Sequence, residues 1–273
     1  MKYRLIASDL DGTLLSDDAK VSKENFEAIE KITDSGTLFV PVTGRAMYEM
    51  PDNVVNCPNV RYTVSSNGAV IYDKLTGEKI THCFTVERFR EIFQLLKKYQ
   101  VTMTIHYDQK SITDANKVSD EAFDYYCVND YYRKHIRTTN VMMDNFDEYF
   151  SEDREAEMLS IFFRYEEELR ECYDALEAMG DVDITASTKG NLEIIRRGAL
   201  KGAALEKLTE MLSIPLSETI AVGDSRNDLS MIEIAGLGLA TSNAIDVVKA
   251  AADEVICSNN ENIAVHIWEN HIK

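Results

Sequence analysis

The feature that most constrains this chain is Asp9-Leu10-Asp11-Gly12-Thr13-Leu14, set directly after the apolar run Leu5-Ile6-Ala7. A short apolar run bounded by glycine predicts a buried strand, and open α/β sheets gather their ligands at the carboxyl ends of strands. In extended backbone, residues i and i+2 face the same way. Asp9 and Asp11 therefore converge on one small volume, while Gly12 lets the chain turn away. Two carboxylates so close call for a counter-ion, and carboxylate, carbonyl and water together suit Mg2+. The same Asp-x-Asp also fits an acidic turn after an edge strand, so its meaning depends on what the chain brings to its other strand ends.

At 273 residues the chain has room for one large α/β domain or two domains. Its 29 Lys and Arg stand against 47 Asp and Glu, a net charge of −18 with no basic block. That balance argues against nucleic acid and anionic membrane surfaces as partners. An anionic small molecule would have to be held by a metal or by a few chosen Lys, Arg and backbone N–H groups. The cysteines (Cys57, Cys83, Cys127, Cys172, Cys257) are scattered, odd in number and without a Cys-x-x-Cys pair, as expected of reduced thiols. MKYRLIASDL runs straight into a strand without an apolar signal region, and no stretch approaches about 18 apolar residues. A cytoplasmic protein is expected; the oligomeric state is not legible.

Along the chain, Ser22 to Ser35 carries Phe26, Ile29 and Ile32 at helical spacing, with Ser22 as cap and Gly36 past the end. Leu38-Phe39-Val40-Pro41-Val42 predicts a second strand, ending in Thr43-Gly44-Arg45 ahead of a predicted helix. A hydroxyl and a glycine at a strand-to-helix junction suit a phosphate; equally, Thr43 could cap the helix and Arg45 could be a solvated surface residue. Two further strands, Arg61 to Val64 and Ala69 to Tyr72, flank Ser65-Ser66-Asn67-Gly68, a turn signal. After the insert described below, Gly198 to Leu205 opens a helix with Leu205, Leu208 and Leu212 on one side, which puts Lys201 at or near its first turn. Cations favour the other end of a helix, so Lys201 either extends into water or is held to meet an anion. Thr219 to Val222 is then a buried strand leading into Gly223-Asp224-Ser225-Arg226-Asn227-Asp228. The chain closes with strand Leu237 to Ala240, a helix through Val247 and Val248, a short Val255-Ile256 and a terminal helix bearing Trp268.

Between about Thr85 and Lys189 the texture changes. Phe89, Ile92, Phe93 and Leu96 form a helical stripe, Val101 to His106 alternates as a half-exposed strand, Ser119 to Asp130 reads as helix and Met158 to Phe163 as strand. Glu166 to Met179 is an acidic amphipathic helix, followed by strands Val182 to Ala186 and Leu192 to Ile195. This mixture predicts an α+β sheet with helices on one face. We expect an inserted domain over 84–190, with 1–83 and 191–273 forming an α/β, doubly wound, mostly parallel Rossmann-like core. The insert holds 13 Lys and Arg against 23 Asp and Glu, so it carries more than half of the net charge, as solvated faces.

Strand ends thus bring, in order, Asp-x-Asp, Thr43 before Gly44, Lys201 at a helix start, and Gly-Asp-x-x-Asn-Asp. This order resembles the four motifs of the haloacid dehalogenase-like hydrolases, and the insert resembles their type IIB cap. Asn67-Gly68-Ala69 and Leu192-Glu193-Ile194 narrow the likeness to the Cof-like sugar phosphatases. One departure is Arg196-Arg197-Gly198-Ala199-Leu200, where relatives commonly carry a proline and a small polar residue; it bears on the hinge, not on Lys201. The resemblance implies a Mg2+-dependent phosphatase acting on small phosphate esters. It makes Asp9 the nucleophile and Asp11 the acid/base, with Asp9, Asp11, Asp224 and Asp228 around the metal. Thr43, Gly44, Lys201 and Asn227 would bind phosphate, and Arg45 is a candidate substrate contact.

Other candidates are weaker. The five histidines (His82, His106, His135, His266, His271) show no metal-ligand spacing, and no Gly-x-Gly-x-x-Gly or Walker-type loop is present. A phosphomutase of the phosphomannomutase kind would share the catalytic pair, but it needs a cap that grips a second phosphate, and this insert lacks clustered arginines. A catalytically idle sugar-phosphate binding module is the third reading.

Overall fold

The computed structural model describes residues 2–273. The chain forms two compact units, one made of residues through Gly44, Met50–Ile80 and Leu200–Lys273, the other of Arg45–Glu49 and Thr81–Ala199.

The first unit is built on a five-stranded parallel sheet. Leu5–Ser8 lies between Leu38–Pro41 and Thr219–Gly223, and the sheet continues through Leu237–Ala240 to the edge strand Glu254–Val255. Because side chains alternate along a strand, Ile6 enters one apolar cluster with Ile29, Ile32, Ile263 and Ile267, while Leu5 and Ala7 enter another with Leu205, Leu208 and Met231. Helices thus cover both faces, which is why the strand reads as an uninterrupted apolar run. Each fully buried Leu or Ile contributes roughly 1.5–3 kcal/mol. Ser22 caps helix Lys23–Asp34 by accepting from the N–H of Asn25, as its sequence position predicts. The hairpin Tyr62–Ser65 with Val70–Asp73 joins this sheet through a parallel bridge between Val42 and Val64.

One expectation fails here: no long helix follows Thr43. Met47–Glu49 is a single 3-10 turn and Asp52–Val55 a single α-turn. Pro51 lies between them and disfavours helical backbone at the preceding residue, so the two turns cannot merge. The helix-start argument for phosphate binding therefore does not apply at Thr43-Gly44-Arg45.

The second unit carries a six-stranded sheet in the order Val182–Thr185, Asn191–Arg196, Met158–Phe163, Val101–Tyr107, Lys110–Asp114 and Val141–Met143, antiparallel except at the last pair. Its extent differs from the expected 84–190 at both ends. Asn191–Arg196 pairs with strands on either side, so Leu192 to Ile195 belongs to this sheet and not to the returning core. The helices also lie on both faces, not one. Phe163 and Ile161 pack with Phe89, Phe93 and Leu176, whereas Phe162 packs with Phe123, Val128 and Ile136. For the same reason Val101 to His106 is buried throughout and not half-exposed. Phe123 and Ile136 come from two helices, Asp120–Tyr125 and Asp130–Thr139. The first stops short of the expected Asp130 because the chain turns through a positive φ of 56° at Cys127.

Candidate active site

Asp9 follows the central strand of the first unit; its N–H donates to the Val222 carbonyl at 3.0 Å and the residue is 4% exposed. The neighbouring strand delivers Asp224, and a capping box between Ser225 and Asp228 folds the next turn back. One Asp228 oxygen accepts from the N–H groups of Asp224 and Ser225, each at 2.9 Å. The carboxylates of Asp9, Asp224 and Asp228 thereby present oxygens within 4.8 Å of one another.

Lys201, the first residue of helix Lys201–Leu212, is fully buried. Its ammonium donates to Asp9 Oδ1 at 2.7 Å and to Asp228 Oδ1 at 2.6 Å. Of the two readings left open by its position, extension into water is ruled out. Bridging two carboxylates raises the pKa of Lys201 despite burial, which acts the other way. Burial, followed by the charge of Asp228, pushes Asp9 well above the usual carboxylate range; Asp224 and Asp11 push the same way and Lys201 opposes. Burial and then Asp228 push Asp224 up to about 7. One ammonium does not balance this group of carboxylates.

Two glycines make the convergence possible. Gly12 has φ of 76°, and a Cβ there would lie 2.5 Å from Asp224 Oδ2; a Cβ on Gly223 would lie 2.4 Å from Asp228 Cγ. Thr13 donates to Asp224 Oδ1 at 3.3 Å, and Asn243 Nδ2 donates to the Gly12 carbonyl at 2.8 Å.

Thr43, Gly44 and Asn227 meet at the hairpin turn. Thr43 donates its N–H to the Val64 carbonyl, and its carbonyl accepts from Asn67 N–H at 3.0 Å. Asn67 Oδ1 accepts from Asn227 Nδ2 at 3.0 Å, and Asn227 Oδ1 accepts from Ser225 at 2.7 Å. Ser66, Asn67 and Gly68 have φ of 50°, 56° and 114°. The sequence marked Asn67 as a turn residue and as part of the Cof-like resemblance but gave it no site role; it sits on left-handed backbone, and its amide oxygen accepts from Asn227. Arg45 falls in the second unit, donating to the Glu49 carbonyl at 2.8 Å and to the Tyr131 hydroxyl at 3.3 Å.

The donor set fits a hard divalent cation. All its atoms are oxygens, as Mg2+ prefers, and burial together with mutual repulsion raises the Asp9 and Asp224 pKa values, a cost that such an ion would offset. The carboxylates are not equivalent. Asp228 commits one oxygen to Lys201 and the other to two backbone N–H groups, whereas Asp9 and Asp224 take side-chain donors on Oδ1.

The chain is 31% identical to phosphatase YwpJ of Bacillus subtilis, over 98% of this chain and 99% of that one. It is 29% identical to the 5-amino-6-(5-phospho-D-ribitylamino)uracil phosphatase YcsE of the same organism, over 95% and 92%. A solved haloacid dehalogenase-like hydrolase from Bacillus subtilis superposes with a TM-score of 0.82 at 30% identity, covering 98% of this chain and all of that one. The family model for haloacid dehalogenase-like hydrolases matches residues 6–267. With the carboxylates and Lys201 assembled at the strand ends of a parallel sheet, the chain belongs to the haloacid dehalogenase-like hydrolases.

Proposed function

We propose that this protein is a Mg2+-dependent phosphatase that hydrolyses small phosphate monoesters, sugar or polyol phosphates, through an aspartyl-phosphate on Asp9. The observation that carries the reading is the buried ammonium of Lys201 locked between Asp9 and Asp228. A lysine so placed holds the Asp9 carboxylate in one orientation and supplies fixed positive charge beside the reacting phosphorus. The relatives support phosphate esters as the substrate class, and YcsE is named for a phosphorylated ribityl compound.

In the proposed reaction Asp9 attacks phosphorus in line, the bond to the ester oxygen breaks, and Asp11 gives that oxygen its proton. Asp11 then takes a proton from water as the water attacks the aspartyl-phosphate, releasing inorganic phosphate and restoring Asp9. Thr43, Gly44, Lys201 and Asn227 bind the phosphoryl oxygens. Asp9, Asp224 and the Asp11 carbonyl would hold Mg2+, with Asp228 anchoring Lys201 and the Asp224 turn. When bound, the ion neutralises charge on the phosphoryl group and on these carboxylates. Together these groups must lower the barrier by on the order of 20 kcal/mol, through positioning and electrostatics.

We assign selection among esters to the second unit, which contains Arg45 and none of the other site residues named above. No helix among the described residues is long and apolar enough to cross a membrane, and the five unpaired thiols support a reducing, cytoplasmic setting. The test is a panel of sugar, polyol and aryl phosphates with Mg2+, reading free phosphate and isomerised ester. Mg2+-dependent phosphate release, lost with chelator, is expected. Isomerisation without release would make the protein a mutase, and binding without turnover would make it a sugar-phosphate binding module.

A further inference from the structure

We infer that Glu254, His266 and His271 form a second metal site in the first unit, one suited to Zn2+ and chemically distinct from the all-oxygen site at Asp9. The spacing of these histidines hides it. Five residues apart on an α-helix, two side chains point about 140° away from each other, and the sequence shows no metal-ligand pattern. The last turns of the chain are not uniformly α-helical. Ile263–Ile267 is α-helix, but Trp268–Ile272 widens into a π-helix, with the N–H of Lys273 bonded to the carbonyl of Trp268 at 3.0 Å. A π-turn closes over five residues, so it brings His271 round toward the face that carries His266. The two rings end with their centroids 6.1 Å apart.

Glu254, on the sheet's edge strand, supplies the third ligand. His266 Nε2 lies 3.8 Å from one Glu254 oxygen and His271 Nε2 lies 3.6 Å from the other. One donor atom from each residue falls within 4.8 Å of both others. These separations are longer than a hydrogen bond. Two donors about 2.0–2.1 Å from a tetrahedral ion stand roughly 3.3 Å apart, and the two His–Glu254 separations lie only a few tenths of an ångström beyond that spacing. Both Nε2 atoms are shielded from solvent and have no hydrogen-bond partner. A buried imidazole nitrogen without a partner is costly, and two of them aimed at one carboxylate are explained together by a shared cation. Two imidazoles and a carboxylate match the three-protein-ligand zinc sites that leave one position to water, and imidazole favours zinc over magnesium. Such an ion would tie the C-terminal turn to the short edge strand Glu254–Val255, which rests on a single neighbour.

The test is calorimetric titration of Zn2+ into chelator-stripped full-length protein in excess Mg2+, with melting temperature as a second readout. One equivalent should bind and raise the melting temperature. Asp224→Asn should keep that equivalent, which separates the site from the one at Asp9. His266→Gln, His271→Gln and Glu254→Gln, each shown to be folded by circular dichroism, should each weaken Zn2+ by at least about 100-fold, since even loss of a supporting outer-shell group costs 10–100-fold. Hydrolysis of an aryl phosphate in Mg2+ should be unchanged in these three variants. Failure of the wild type to take up zinc, equal zinc affinity in the wild type and the three variants, or loss of the equivalent in Asp224→Asn would overturn the assignment.

Discussion

Lys201→Met removes the ammonium while keeping an unbranched chain of similar length. In the wild type this ammonium, with no exposed surface, donates 2.7 and 2.6 Å hydrogen bonds to two buried carboxylates. Breaking a buried ion pair from one side costs about 3–5 kcal/mol, because the remaining charge is left uncompensated. Here Asp9 and Asp228 are both left, and they already repel each other. We expect destabilisation at the upper part of that range, measured by urea unfolding in saturating Mg2+. Turnover of an aryl phosphate should fall by about 10²-fold or more, the scale of losing one preorganised electrostatic partner. Stability and catalysis separate in the double variant Lys201→Met with Asp228→Asn. Removing one of the stranded charges should restore stability through a coupling of about 1–3 kcal/mol, while activity stays low. Additive stability effects, or a folded Lys201→Met enzyme with near-normal turnover, would refute the reasoning.

Asp9→Asn should abolish turnover in a folded protein, because the amide is nearly isosteric but cannot attack phosphorus; a deamidation-free preparation with near-normal rates would reject the assignment. Gly12→Ala should raise the Mg2+ concentration needed for half-maximal rate, since its Cβ would sit 2.5 Å from Asp224 Oδ2 on backbone with φ of 76°; an unchanged Mg2+ dependence would show that Asp224 is not a ligand. In the second unit, burial acts to raise the Glu49 pKa, but the hydrogen bond with His135 and the charges of His106 and His135 outweigh it and bring it down to about 2 from 4.5. A depressed carboxylate stabilises the fold above its unfolded pKa, and that contribution fades as pH falls from about 4.5 toward 2, by roughly 3 kcal/mol at most. The stability gap between wild type and Glu49→Gln, read by denaturant unfolding across that window, should therefore shrink with acid; a constant gap would remove Glu49 from the acid response.

Local pattern determined much of this molecule. Leu5-Ile6-Ala7 could be read as a buried strand because both faces of a parallel sheet are covered, and Ser22, Ile29 and Ile32 marked a capped amphipathic helix. The candidate carboxylates were legible because Asp9-Leu10-Asp11 and Asp224 follow apolar runs, and because Asp11 and Asp224 each adjoin a glycine, Gly12 or Gly223, where a Cβ would collide with a carboxylate. Tertiary structure decided what depends on partners distant in sequence. Whether Lys201 met water or an anion turned on Asp9, 192 residues away. Whether Val101 to His106 was half-exposed turned on what covers the sheet's second face, where helices Asp120–Tyr125 and Asp130–Thr139 pack against Phe162 of the neighbouring strand. Leu192 to Ile195 looked like a strand of either unit, since apolarity does not say which neighbour supplies the hydrogen bonds. The pairing of His266 with His271 depended on a π-turn, which side-chain periodicity cannot signal because it arises from how the last backbone carbonyls find donors. Sequence reports how a residue relates to its near neighbours; burial, charge compensation and ligand geometry are set by segments that only the fold brings together.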